Sequence, residues 1–325
     1  MAFGKLFTYG PANVDTLLST TQSVLAKLGP AYFQDAIFNK IPLLNWLRKK
    51  AQVTYQGGAT ILVPLLYGKN TTFAAFSGLD LIDTTVQDGL TMAQAPFINY
   101  GGTISLVGDE LASNAGQGKL TDYVKAKTMQ ALMSGRDILN ADMFASTQAS
   151  KKVSALPAFV DATSTVHDIN STTSSWWQAQ VTASGSFSGQ GIADLRTLRD
   201  NIMQRGQQGN SASDYIVTTA LVKQFLENSQ EGSIRYGSRD SADPTFESLK
   251  FNMAVVEFDP NCATGQLYML SSDVLEFVVH PEYDFNVGNF VEPTNQWAKT
   301  AKVIFRGNLI TKNRRKLGKL TGITA

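Results

Sequence analysis

Apolar residues recur at helical spacing in five parts of the chain. The strongest pattern covers residues 121–145, where few helix breakers occur, and it predicts a helix of about 25 residues, roughly 37 Å long. An amphipathic stretch within residues 1–30 predicts a short helix in an N-terminal arm. Residues 31–50 predict a helix followed by a buried turn. Two further helices are predicted at residues 192–203 and 220–228.

The pattern changes to β-branched and aromatic residues, separated by turn residues, between residues 51 and 106. Strands are predicted at residues 60–66 and 97–106, with a polar, glycine-containing stretch between them. Together they predict a long hairpin-like excursion with a thin apolar face. Because an isolated two-stranded ribbon is marginally stable in water, we expect this hairpin to lie against something else, and a second subunit is an obvious candidate.

The second half of the chain mixes helices and strands. Residues 146–191 are rich in Ser, Thr, Ala and Gly, so a domain boundary is expected near this segment. Alternating residues at 299–311 predict a late strand that returns to the first domain. The other predicted strands lie at residues 215–219, 253–258, 267–270 and 274–279. This alternation of helices and strands predicts a mixed α/β or α+β domain.

Composition adds limits to this picture. The chain has 325 residues, which suits about two domains, and its 28 basic residues against 27 acidic ones leave a net charge of +1. No uniform field is therefore available to recruit nucleic acid or an anionic membrane. The single cysteine excludes an intrachain disulfide, and no apolar run is long enough for a transmembrane helix. The first residues lack the features of a secretory signal, so we expect synthesis and use in the cytoplasm.

Residues that commonly carry chemistry are few. The only histidines, His167 and His280, are expected to be surface or capping residues, and Cys262 lies in a turn where it is a candidate exposed thiol. Two acidic pairs, Asp109 with Glu110 and Asp80 with Asp83, are interpreted as solvated. Phosphate-binding, dinucleotide-binding, nucleophile-elbow and zinc-protease motifs do not occur in the sequence. The sequence therefore predicts no catalytic residue, no cofactor and no metal site.

Charge is distributed unevenly at the C-terminal end. The last 33 residues contain eight Lys or Arg residues and no acidic residue. One interpretation is a basic patch for phosphate or for acidic residues of a neighbour, and the other is a solvated strand end. The sequence leaves both open. Since aromatic residues are scarce in this stretch, ion pairing is favoured over sequence-specific nucleic-acid binding.

Four segments then carry a family resemblance. They are residues 35–47; Gly57 and Gly58 with Ile61, Val63, Pro64 and Leu65, followed by Tyr67 to Asn70; Asp259 to Asn261 with residues 265–270 and Val279 to Pro281; and Trp297 to Lys302 with Gly307 to Leu309 and residues 313–320. In this order, over almost the whole chain, they resemble the major capsid proteins of tailed bacteriophages with the Hong Kong 97 type fold.

The resemblance implies an α+β capsid fold of five parts. Residues 1–50 would form the N-terminal arm and first helix, and residues 51–106 the extended β-hairpin loop. Residues 107–150 would form the peripheral domain with its long spine helix. Residues 151–285 would form the mixed α/β axial domain. Residues 286–325 would contain the return strand to the peripheral domain and a basic tail.

The implied function is that of a major capsid protein, which is not an enzyme. It would self-assemble into pentamers and hexamers of an icosahedral shell around double-stranded DNA, which it would contact non-specifically. Candidate partners are scaffolding, portal and cement proteins, with no membrane, and the protein would be assembled in the bacterial cytoplasm and located in the virion. The candidate inter-subunit contact residues are Tyr67, Gly68, Lys69, Asn70, Arg306, Arg314, Arg315 and Lys316.

Three alternatives remain open at the level of the sequence. The first is an encapsulin-like nanocompartment shell with the same fold and a protein cargo. The second is a hydrolase of unrecognised type that would use Asp109 and Glu110. The third is a minor structural or decoration protein of a virion.

Overall fold

Two main sheets and two small ones organise the described part of the chain. The computed structural model describes residues 41–55, 57–113, 117–205, 213–234, 249–252 and 254–324. The predicted N-terminal arm and residues 31–40 of the first predicted helix lie outside the described residues. The described chain begins with the helix Pro42–Trp46, whose proline occupies the first turn, and a π-helical turn at Leu47–Ala51 follows directly.

A five-stranded sheet contains the long strand near the C-terminal end. Its strands are β1 (Gln52–Thr54), β4 (Ile98–Val107), β12 (Leu275–Val279), β13 (Asn286–Val287) and β14 (Ala298–Thr311). Strand β14 pairs antiparallel with β4 over ten residues and with β12 on its other side, while β1 pairs parallel with β12. The predicted strand at residues 299–311 is thereby confirmed, and it returns to the sheet that contains β4.

The longest helix among the described residues follows β4 after a short helix, Gly108–Ser113. It spans Gln117–Met143, which confirms the predicted helix at residues 121–145. Its buried side chains, among them Leu132, Leu139 and Met143, join a core that also holds Phe277 and Phe305 of the five-stranded sheet. The helix is held by tertiary packing of one apolar face, as is usual for helices in globular proteins.

A six-stranded sheet has the order β7-β15-β11-β8-β10-β9. Its strands are β7 (Gln180–Ala183), β8 (Tyr215–Thr218), β9 (Leu249–Phe251), β10 (Ala254–Phe258), β11 (Leu267–Leu270) and β15 (Gly318–Thr321). The central strands β8 and β11 are buried at every residue, which explains their continuous apolar sequence. The helices Ile192–Arg205 and Ala220–Ile234 share a core with this sheet.

The predicted hairpin exists, but its second strand was predicted in the wrong place. Strand β2 (Thr60–Leu66) pairs antiparallel with β3 (Leu90–Pro96), and residues 98–107 belong instead to β4. The inner face of β3 consists of Ala93 and Ala95. Alanine has a low strand propensity, so this segment gives no strand signal in the sequence.

Residues 153–177 form an ordered segment beneath the hairpin. It contains the helix Leu156–Phe159, a two-stranded hairpin of β5 (Thr165–Val166) and β6 (Ile169–Asn170), and a 3₁₀ turn at Ser175–Trp177. His167 and Asp168 form the two-residue turn with φ values of 54° and 63°. Positive φ at both central residues is the geometry that a tight hairpin turn requires.

Candidate subunit-contact surface

Residues 67–89 project beyond the paired strands β2 and β3, and we call this part the tip. Leu79 is 100% exposed and Leu81 98% exposed. The large apolar side chains exposed in the tip are Phe73, Phe76, Leu79, Leu81, Ile82 and Val86. The sequence interpretation of this stretch as polar was therefore wrong. Exposed apolar clusters of this kind mark interaction surfaces.

From residue 70 onwards the tip carries only negative charge. Asp80, Asp83 and Asp88 are its ionisable residues beyond Lys69, and no Lys or Arg occurs between residues 70 and 96. Asp83 accepts hydrogen bonds from Thr85, and these bonds lower the pKa of Asp83. Asp80 accepts the backbone N–H of Ser77 at 2.9 Å. The acidic pair predicted to be solvated is exposed, and the tip is both apolar and acidic.

Four of the predicted contact residues lie where the tip begins. Tyr67 is 39% exposed and its ring stacks on Trp176 with a centroid distance of 5.2 Å. Gly68 faces Gly89 so closely that a Cβ on Gly68 would lie 3.1 Å from the Gly89 Cα. Lys69 and Asn70 are exposed. The Asn70 side chain accepts hydrogen bonds from the backbone N–H of Thr72 at 2.9 Å and from its hydroxyl at 2.6 Å, which forms a local turn.

The paired strands β2 and β3 form the base of the hairpin and lie on their own subunit. Their buried residues pack against Trp177, Val278 and Ile310. Arg306, another predicted contact residue, donates a hydrogen bond to the carbonyl of Gly58 at 3.1 Å and lies over the Phe97 ring. Arg306 thus holds the base of the hairpin within the subunit. The expectation that the whole hairpin needs an external support applies only to the tip.

Arg314 is completely buried, which corrects its interpretation as a surface contact residue. Its guanidinium donates to the carbonyls of Phe159 at 2.9 Å, Ala158 at 3.0 Å, Asp161 at 2.7 Å and Ser164 at 3.1 Å, and to the Ser171 hydroxyl. All five N–H donors can be used in this cage of oxygens. Burial lowers the pKa of Arg314 to about 10, although the nearby Asp161 charge opposes this. The side chain organises residues 153–177 from inside.

The other basic residues near the C-terminal end do not form one patch. Lys312 pairs with Glu276, and Lys319 Nζ lies 3.8 Å from Asp161 Oδ1. Lys316 is buried, so its interpretation as a contact residue is also corrected, whereas Arg315 is half-buried. Arg314, Arg315 and Lys316 belong to a 3₁₀ turn, and of these only Arg315 keeps partial exposure.

His167 and Cys262 are both buried, so their interpretation as surface groups was wrong. His167 Nε2 accepts the backbone N–H of Thr311 at 3.3 Å, and its ring lies edge-on to Phe159. Burial and the charge of Arg314 lower the pKa of His167 to about 4. Burial and the charge of Asp259 raise the pKa of the Cys262 thiol to about 12, which leaves it an unreactive thiol at neutral pH.

The acidic pair of the hydrolase alternative lies in the short helix Gly108–Ser113. Glu110 accepts a hydrogen bond from the Tyr123 hydroxyl of the longest helix. Within the described ranges, no group of three metal-binding side chains comes together. No helix of the described part of the chain is long and apolar enough to cross a membrane.

Solved structures provide the comparison that decides the fold. No model of a protein family matches the sequence, and no curated protein matches it. A structure described as the cyanophage A-1(L) capsid asymmetric unit matches with a TM-score of 0.67 and 13% identity, over 88% of this chain and 93% of that chain. This protein has the Hong Kong 97 type capsid fold.

Two further structures agree with that assignment. Mycobacterium phage Bobi matches with a TM-score of 0.55 and 11% identity, over 86% of this chain and 90% of that chain. The capsid of a native GTA particle matches with a TM-score of 0.53 and 10% identity, also over 86% and 90%. The predicted α+β capsid fold is thus confirmed over most of the chain.

Proposed function

We propose that the chain is a major capsid protein that assembles through its extended loop into pentamers and hexamers of an icosahedral shell. The observation that carries this proposal is the tip, whose six large apolar side chains are exposed in the single subunit. An apolar surface of this kind is stable in water when another surface covers it. A neighbouring copy of the chain supplies that surface at every position of a closed shell.

The described elements support a division of the subunit into two domains and a loop. The five-stranded sheet and the long helix Gln117–Met143 would form the peripheral domain, and the six-stranded sheet the axial domain. The paired strands β2 and β3 would extend from the peripheral domain, and the tip lies at their far end. Tyr67, Gly68, Lys69 and Asn70 remain our candidate contact residues, and the exposed apolar residues of the tip join them. Arg315 stays a candidate as well.

The proposed content of the shell is double-stranded DNA, bound without sequence specificity. Scaffolding, portal and cement proteins are the proposed partners, and the virion is the proposed location after assembly in a bacterial cytoplasm. The proposed role is structural rather than enzymatic, and the likeness of the fold to capsid structures supports it. Many weak contacts suffice for such a shell, because each contact that forms makes the next one effectively intramolecular.

Negative-stain electron microscopy of the purified protein tests the proposal. The wild-type chain is expected to form closed particles or regular capsomer rings, alone or with its scaffolding protein. A variant in which a two-residue turn replaces residues 67–89, so that the turn joins Leu66 directly to its strand partner Leu90, should stay folded because it keeps both strands of the base, but should form neither. Intact shells from this variant would contradict the proposed role of the tip.

The same particles separate the alternatives. Particles that enclose nuclease-protected DNA when produced with the packaging machinery support a viral capsid, whereas a protein cargo would indicate an encapsulin-like shell. A uniform small oligomer with a hydrolytic activity that Asp109→Ala abolishes would replace the proposal by the hydrolase alternative. Low copy number in an isolated virion would indicate a minor structural protein.

A further inference from the structure

The extended hairpin is attached to its own subunit by three hydrogen bonds along its base and by one aromatic stack where the tip begins. Arg306 Nη2 donates to Gly58 O at 3.1 Å, before β2 begins. Asn308 Nδ2 donates to Pro96 O at 2.8 Å, where β3 ends. Both anchoring side chains belong to β14, so the two strand ends are tied to a central strand of the five-stranded sheet.

The other two attachments come from the segment 153–177. The backbone N–H of Gln94 donates to the carbonyl of His167 at 3.2 Å. Farther out, Trp176 stacks on Tyr67 with an interplanar angle of 22°. Trp177, beside it, is 2% exposed and packs with the inner face of the hairpin. Within the segment, the buried Arg314 donates hydrogen bonds to four backbone carbonyls.

Support from the subunit ends abruptly at Tyr67. The last backbone hydrogen bonds between the two sides of the hairpin run from the N–H groups of Tyr67 and Gly68 to Gly89 O, at 2.9 and 3.4 Å. Beyond this point the hydrogen bonds among the described tip residues are local, apart from one between the side chains of Thr71 and Gln87. The two facing glycines leave no side chain to stiffen the junction.

We propose that residues 153–177 support the base of the hairpin and fix its direction. Bending of the hairpin during assembly then occurs only in the tip, between Tyr67 and Gly89. The Trp176–Tyr67 stack sets the position of the bend. This inference rests on the proposed capsid function only for its consequence in assembly. The mechanical part concerns the single subunit and can fail or succeed separately.

Spin-label distances in the unassembled full-length chain test the mechanical part. One label is attached at Gln130→Cys on the exposed side of the longest helix, and the other at Leu66→Cys in the base or Leu79→Cys in the tip. The native Cys262 is buried and stays unlabelled. We expect a narrow distance distribution between the labels at positions 130 and 66, and a distribution about twice as broad between the labels at positions 130 and 79. Equal widths would overturn the proposal.

Trp176→Ala tests the stack itself. It should broaden the base distribution and speed amide exchange at Tyr67 about two- to tenfold, the range expected for loss of one aromatic pair. Trp176→Phe should keep the narrow distribution of the wild type. Trp297→Ala is the control, because it removes an exposed tryptophan beside Gly108, and it should leave the distribution unchanged. An unaltered base distribution and unaltered Tyr67 exchange in Trp176→Ala would contradict the assigned role of the stack.

Assembled particles provide the last comparison. On assembly the tip distribution should narrow while the base distribution keeps its width and mean. A shift of the mean distance in the base would show that the whole loop pivots and would overturn the proposal. If no particles form under any condition, the capsid function fails, but the distances in the free subunit still decide the mechanical part.

Discussion

At the scale of single residues, a buried arginine near the C-terminal end links five oxygen acceptors of residues 153–177. Arg314 is fully buried and its ordinary counter-ion is replaced by carbonyl oxygens and a hydroxyl. Burying a charge costs free energy unless every donor is satisfied, and here the cage satisfies them. The benefit is a fixed conformation for residues 153–177, which have little regular secondary structure to hold them.

Removing this guanidinium should destabilise the subunit strongly. We expect Arg314→Met to lower the free energy of unfolding by at least about 3 kcal/mol, because several buried carbonyls lose their donors. Urea unfolding followed by tryptophan fluorescence would measure this. The neighbouring Arg315→Met is the matched control and should change stability by about 0.5 kcal/mol or less. Equal stability of the two variants would argue that the cage is not what holds this segment.

His167 should make the subunit sensitive to moderate acid. Burial and the charge of Arg314 lower its pKa to about 4 in the folded chain, while the unfolded value is near 6.5. The unfolded state therefore binds the proton first, so stability is complete above pH 6.5 and falls as the pH decreases towards 4. The loss over this range amounts to about 3 kcal/mol.

The measurement for this prediction is the free energy of unfolding at several pH values between 7 and 4. Carboxyl groups also titrate in this range, so the wild-type chain is compared with His167→Asn, which tolerates the positive φ of this turn. The variant should lose less stability on acidification. Parallel curves for the two proteins would show that His167 does not carry the effect.

At the scale of elements, the paired strands β4 and β14 contain glycines with opposite requirements. A Cβ on Gly307 of β14 would lie 2.5 Å from the carbonyl oxygen of Val278 in the adjacent strand, whereas a Cβ on Gly102 of β4 would have nothing within 4 Å. The first glycine is needed for close strand packing, and the second is not.

Alanine substitutions should separate the two glycines. Gly307→Ala is expected to lower stability by about 2 kcal/mol or more, since backbone must move to admit the methyl group. Gly102→Ala is expected to be neutral or slightly stabilising, by about 0.5 kcal/mol. Thermal unfolding of both variants checks this, and a Gly307→Ala protein as stable as the wild type would refute the assigned close approach.

Elements with a strong periodic signal were predictable, and elements fixed by contacts were not. The longest helix and strand β14 were located within a few residues because their apolar patterns are long and regular. Strand β3 was missed because its buried positions are alanines, whose burial depends on packing in one cluster with Trp177. Likewise the burial of His167 depends on Arg314 and Thr311, which are remote in sequence.

At the scale of the whole molecule, the tip is a part whose apolar side chains remain exposed in the single subunit. Leu79 and Leu81 are almost fully exposed, so they contribute almost nothing to the stability of the isolated chain. In the proposed assembly both leucines would be buried, and each would then contribute about 1.5–3 kcal/mol. Stability and assembly should therefore respond differently to their replacement.

Replacing both leucines by serine should leave unfolding of the subunit unchanged within about 0.5 kcal/mol. The same variant should lose most of its shells, because the loss is repeated at every subunit of the lattice. Urea unfolding and particle yield by light scattering measure the two effects on one preparation. Leu221→Ser, which removes an exposed leucine outside the loop, serves for comparison. Normal particle yield from the double variant would count against the tip as the assembly surface.

The sequence by itself determined the mixture of helices and strands, the longest described helix, the strand β14 and the first strand of the hairpin, because local periodicity and turn residues encode these features, and the family resemblance supplied the capsid fold. It also left the last basic residues with two interpretations. Only the tertiary structure decided that Arg314 and His167 lie inside and that the hairpin has a supported base and a free tip. Burial is a property of residues distant in sequence that meet in space, and no local pattern specifies which of them will meet.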